Sequence, residues 1–157
     1  MAGYGDNDGL MTYASSVGYT ISDGADLTVA RQIGSTYIDS LYGDRFPGEP
    51  TGGIEQDREW PRTGATAYGS TLASDVIPTR VVNASYEAAI LQMKTPGSLS
   101  ASYTPGTRKV LTEVKGIKWQ VIGTGTAEER AYLVSETIEG ILTPLLIPRY
   151  LPAILVV

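Results

Sequence analysis

The sequence contains no cysteine and no histidine. The first absence excludes a disulfide framework, a thiolate nucleophile and a cysteine-ligated metal. The second removes the commonest general base at neutral pH, the Ser–His couple and the commonest metal ligand. An enzyme would have to work with carboxylates, lysine or tyrosine, and no convergent acid–base set is visible. No catalytic, cofactor-binding or metal-ligating residue is therefore expected. A surplus of positive charge is missing too. The formal net charge is -5, which argues against a domain whose main work is gripping phosphates. Long uninterrupted apolar runs are also lacking. The most apolar stretch, "ILTPLLIPRYLPAILVV", carries Pro144, Pro148, Pro152 and Arg149. A membrane helix needs about 20 continuous apolar residues, so no span is expected. "MAGYGDNDGL" has no basic segment leading into an apolar run, so no signal peptide is expected and the site of synthesis and assembly is the cytoplasm.

What is present fits one domain with loops and tails: 157 residues, of which 42% are hydrophobic. Residues 1–24 are rich in Gly, Asp, Ser and Thr and read as a loose N-terminal arm with at most one short turn. "DLTVARQIGSTYIDSLYG" places Leu27, Ala30, Gly34, Tyr37, Ile38 and Leu41 on one stripe at steps of three and four. The spacing predicts a helix over 25–42, started by Ser22 or Asp23 and ended by Gly43. Residues 43–75 form a connection far longer than the usual 4–6 residues, yet it holds Phe46, Ile54, Trp60 and Tyr68. It reads as ordered and wrapped, because a disordered linker is poorer in aromatics. "IPTRVVNASYEAAILQMK" is a second helix, with Pro78 suited to its first position and Val82, Tyr86, Ala89, Ile90 and Met93 as its buried stripe. After a loop over 95–107, residues 108–123 alternate as a β-hairpin turning at Gly116. Thr126 then caps a last helix through Leu133, Ile138 and Leu142, which Pro144 ends. The fold class is mainly α with a small β-hairpin: a compact helical domain over 25–142, long loops, and an extended tail over 143–157.

Five stretches invite a chemical reading. "GTGTAEER" puts glycines before a helix start but lacks the spacing and the lysine of a phosphate cradle, so a turn and cap is favoured. Glu55, Asp57 and Glu59 lack the pattern of a calcium loop and read as a solvated charge run. "KGIKWQ" sets Lys115 and Lys118 beside Trp119, a mixture that can stack on and neutralise single-stranded nucleic acid. In a hairpin, however, Trp119 shares its face with Ile117 and Val121, which favours core packing. The tail is different: Leu145, Leu146, Ile147, Leu151, Ile154, Leu155, Val156 and Val157, with Arg149 and Tyr150 among them, form an apolar set too large to leave wet. A proline-punctuated terminus stays loose unless something holds it, so docking on another polypeptide is expected, as an added strand at a partner's sheet edge with pockets for alternate side chains. In "QDREWPRTGA", the bulky Trp60 either folds onto its own core or docks on another molecule; packing is favoured, since Pro61 restricts where the indole points.

The order of segments then becomes informative. "TYIDSLYGDRFPG", "EQDREWPRTGA", "IPTRVVNASYEAAI", a "VKGIK" hairpin and "ILTPLL" follow one another over residues 27 to 146. This succession resembles a family of tailed-phage head–tail connector proteins, also called adaptors or head-completion proteins and labelled DnaT-like single-stranded-DNA-binding. Trp60, Pro61 and Arg62 match the family motif. The resemblance implies a non-catalytic helical adaptor that self-associates in a ring of twelve copies in the virion neck. Its implied partners are the portal protein, which receives the C-terminal extension, and a tail or nozzle protein. Double-stranded DNA would pass through the lumen without specific binding, and an acidic lumen would repel phosphate. Relatives carry an extra helix after the "TYAS" segment, where this chain has the shorter, glycine-rich "SVGYTISDGAD". The rival reading is a single-stranded nucleic-acid-binding module using Trp119, Lys115 and Lys118.

Overall fold

The computed structural model describes residues 2–99 and 135–148. Within them the chain is mainly helical: α1 (Asn7–Ser16), α2 (Leu27–Tyr42), α3 (Thr79–Lys94) and α4 (Glu136–Leu142). Two short antiparallel pairs complete it, β1 (Glu49–Pro50) with β2 (Arg62–Thr63), and β3 (Thr66–Ala67) with β4 (Ser70–Thr71). The β structure described thus lies in the long connection between α2 and α3. The expected hairpin over 108–123, the start of the last helix and the tail beyond 148 lie outside the described residues.

The first correction concerns the N-terminal arm, which contains α1. Asp6 starts it: in extended conformation, its carboxylate accepts the Gly9 N–H at 2.7 Å, satisfying a donor that the first turn cannot pair internally. Only Leu10 and Ala14 of α1 are buried, one turn apart, which is too thin a stripe to stand out in sequence. Helix α2 begins later than its expected cap. Asp26 accepts from the Val29 N–H at 3.0 Å, in place of Ser22 or Asp23. The helix ends at Tyr42 with Gly43 as its C-cap, as expected, although Gly43 is right-handed at a φ of -55° and the chain tightens there into a 3-10 turn over Gly43–Arg45. Pro78 precedes α3 as its cap residue instead of occupying the first turn.

Helices α2 and α3 form the central pair. Gly34 is where they come closest: a Cβ there would stand 2.4 Å from the Ser85 carbonyl oxygen and 2.7 Å from the Ala89 nitrogen. Opposite Gly34, α3 presents small residues, with Ala84, Ser85, Ala88 and Ala89 all buried. Val81 is buried as well, so the buried arc of α3 is wider than the expected stripe. The reason is that α1, α2 and α4 all pack on α3. Leu10, Ala14, Ala30, Tyr86 and Ile90 build one apolar cluster. A larger one gathers Tyr37, Ile38, Tyr42, Phe46, Trp60, Val81, Ile138 and Leu142. The long loop is therefore ordered and wrapped, as its aromatics implied.

Candidate functional site

The motif loop builds a hub of side chains at the end of α2. Trp60 is 1% exposed. Its ring meets Phe46 edge-on, with centroids 5.5 Å apart and planes at 74°, a favoured aromatic arrangement. The Trp60–Pro61 peptide is cis. The Trp60 backbone N–H donates to the Tyr4 hydroxyl at 3.2 Å, and that hydroxyl donates to the Asp39 carboxylate. The Tyr4 backbone N–H donates to Ser35 Oγ at 2.8 Å. The N-terminal segment is thus strapped between α2 and the motif loop.

Arg58 closes this network from outside. It donates to the Ala2 carbonyl at 2.9 Å, to Thr36 Oγ1 at 3.1 Å and to Asp39 Oδ2 at 3.1 Å, and its guanidinium lies 5.8 Å from the Tyr4 ring centre. Burial is the main cause that raises the Asp39 carboxyl above the usual carboxylate range; the Tyr4 hydrogen bond and Arg58 oppose it. Burial, then the Asp39 charge, also pushes the Tyr4 hydroxyl well up. These shifts come from packing, and the groups that carry them are bonded to each other.

Arg62 is the second clamp. It is 6% exposed and donates to the main-chain carbonyls of Pro47, Glu59 and Gly48 at 3.0, 3.2 and 2.6 Å. It also pairs with the Glu59 carboxylate. A planar fork suits such converging carbonyls in a way an ammonium does not. Gly48 itself lies against the backbone that follows Arg62: its φ is +72° and a Cβ would stand 2.2 Å from the Thr63 carbonyl oxygen. Of the acids read as a solvated run, Glu55 and Asp57 are exposed, whereas Glu59 is tied to Arg62.

The same use recurs through the described residues. Arg31 donates to Asn7 at 2.9 Å and to the Gly5 carbonyl. Arg45 pairs with Glu139 at 3.0 Å, and Arg80 donates to the Ile141 carbonyl at 3.1 Å. Every described arginine therefore binds the protein's own oxygens. Among the described residues no set of three or more acids converges as a metal site, and no helix is long and apolar enough to cross a membrane.

The structure separates the expected tail set. Leu145 is 3% exposed and belongs to the main core, because the 3-10 turn Thr143–Leu145 folds it under α4; it is not free to dock. Leu146 packs partly against the same core. Ile147 is 44% exposed, while its backbone N–H donates to the Arg45 carbonyl at 2.7 Å. Arg149, Tyr150, Leu151, Ile154, Leu155, Val156 and Val157 lie outside the described residues, as do Lys115, Lys118 and Trp119. Of the motif Trp60, Pro61 and Arg62, the tryptophan and the arginine are buried inside the fold. Sequence reading missed Tyr4, Asp39 and Arg58. A signal was there: Arg31, Ser35 and Asp39 recur every four residues, a polar ridge beside the apolar stripe of α2.

Fold and hub together define a small helical domain whose distinctive side chains serve architecture. Residues 3–150 match the model of a family described as "Putative DnaT-like ssDNA binding protein". The chain belongs to that family. No curated protein and no solved structure matches it.

Proposed function

We propose that the protein is a structural subunit of a tailed-phage neck, forming a ring between portal and tail that prolongs the DNA channel. The observation that carries this reading is the motif order around Trp60-Pro61-Arg62, which here folds into a hub with its arginines turned inward. Charge supports it. Six of the chain's twelve basic residues lie outside the described residues (Arg108, Lys109, Lys115, Lys118, Arg130 and Arg149), against only three acids, Glu113, Glu128 and Glu129. The described residues are thus acidic on balance, as suits a conduit that should not hold its cargo. The test is to mix the protein with purified portal rings and weigh the product by native mass spectrometry. Closed rings of this protein on the portal are the expected result. A protein that stays monomeric and ignores portal removes the reading.

The family description speaks more directly for a second reading, single-stranded nucleic-acid binding. The basic residues near Trp119 favour it further, since stacking beside positive charge is the usual device for that task. This reading expects oligonucleotide binding that weakens steeply with salt and falls in Trp119→Ala. Fluorescence anisotropy with labelled single strands at low salt measures it, and no binding there removes it.

A further inference from the structure

We propose that a groove on the outer side of α2 is the seat of the chain's own C-terminal segment, residues 149–157. The groove encloses about 260 Å³. Ile33, Tyr37, Leu41 and Leu99 give it apolar walls, Gln32, Thr36 and Ser40 stand among them, and among the described residues no charged side chain lines it. A mostly apolar surface of this kind favours an uncharged apolar segment over a charged one. Beyond Arg149 the sequence through Val157 carries no charged side chain.

The chain also arrives at the right place. The Ile147 N–H is held by the Arg45 carbonyl at 2.7 Å. Arg45 lies in the turn directly after α2, beside the end of the groove that Leu41 lines. From Gln32 to Leu41 the helix rises about 14 Å, and nine extended residues reach about 30 Å. The segment can therefore cover the whole groove of its own subunit. Tethering gives it an effective concentration on the order of millimolar, which a second copy's tail does not match at ordinary concentrations. The rival occupant is the stretch 108–123. The nearest described residues on either side of it lie close as well, since Leu99 lines the groove and the Ser135 backbone N–H bonds the Tyr37 hydroxyl. That stretch interleaves Lys109, Lys115 and Lys118 with its apolar residues, which suits an uncharged groove less well. The seat belongs to the free subunit and does not depend on the neck-ring reading; in a ring, a partner surface would replace the groove.

The absence of cysteine makes a clean test. The full chain is made with Ser40→Cys at the groove and Leu155→Cys in the tail, then treated with a short bis-maleimide at low protein concentration. The expected product is a link within one chain, formed at least tenfold faster than in the pair Ser40→Cys with Ile117→Cys. Adding Ile33→Arg should slow the tail link at least tenfold. Faster linking to position 117, links only between chains, or equal rates with and without Ile33→Arg would each overturn the proposal. If Ser40→Cys fails to fold by circular dichroism, Thr36→Cys takes its place with the same expectations.

Discussion

At the scale of the residue, Trp60 shows why a loop carries a bulky indole before a proline. The ring meets Phe46 and belongs to the same buried cluster as Tyr42, Ile138 and Leu142, so it acts as core although it comes from a connection. Large core truncations cost the transfer free energy of the lost atoms and a cavity term. Trp60→Ala should therefore lose roughly 3–5 kcal/mol in urea denaturation. An unchanged midpoint together with failed assembly would place the indole at a subunit contact instead. Tyr68 is the opposite case. It is 79% exposed, yet it holds a φ of +50° at the tip of the β3–β4 hairpin, followed by Gly69 at +76°. Left-handed backbone strains a residue with a large Cβ substituent, and Asn-Gly is the favoured pair for such a turn. Tyr68→Asn should raise stability by about 0.5–1 kcal/mol. A loss of stability in thermal melts would show that the tyrosine makes a contact that offsets its strain.

At the scale of the element, legibility followed stripe width and polarity. Helices α2 and α3 were readable because sixteen-residue elements repeat an apolar face often enough to stand out. Helix α1 was not, since two buried residues one turn apart look like chance. The small residues Ala84, Ala88 and Ser85 of α3 were passed over because volume, not hydropathy, is what close packing against Gly34 requires. The motif Trp60-Pro61-Arg62 was legible as a unit, and its tryptophan was rightly read as core. Arg62 was not legible as a clamp, because most of its partners are main-chain carbonyls, which any sequence supplies; Arg58 was not, because the Ala2 carbonyl, Thr36 and Asp39 lie 56, 22 and 19 positions away in sequence. Their role predicts a chemistry-specific effect. Arg62→Lys keeps the charge but loses the fork that spans Phe46, Pro47, Gly48 and Glu59. The expected loss is about 2–3 kcal/mol in denaturant titration, as for hydrogen bonds to charged groups left unmade. A lysine variant as stable as the parent would mean that these carbonyls are content with water.

At the scale of the whole molecule, the hub and the helices are tied by tyrosines whose hydroxyls are drawn into the fold, which makes the protein sensitive to alkali. Burial first, then the neighbouring Glu87, pushes the Tyr13 hydroxyl up to about 12. Burial raises Tyr4 and Tyr37 in the same direction. In the unfolded chain, tyrosines give up their protons near pH 10. Below that value both states keep them and the full stability is present. Above it the unfolded state loses protons that the native state retains, so stability falls as pH climbs from about 10 through about 12. Tyr13→Phe removes one such group, and the fall should become shallower. Circular dichroism in parallel with tyrosinate absorbance measures both quantities on one sample. An unfolding midpoint that does not move toward lower denaturant between pH 10 and 12, or a Tyr13→Phe variant with the same slope as the parent, would show that these hydroxyls are solvated in the native protein and that the strap through Tyr4 does not hold the N-terminal segment to the hub.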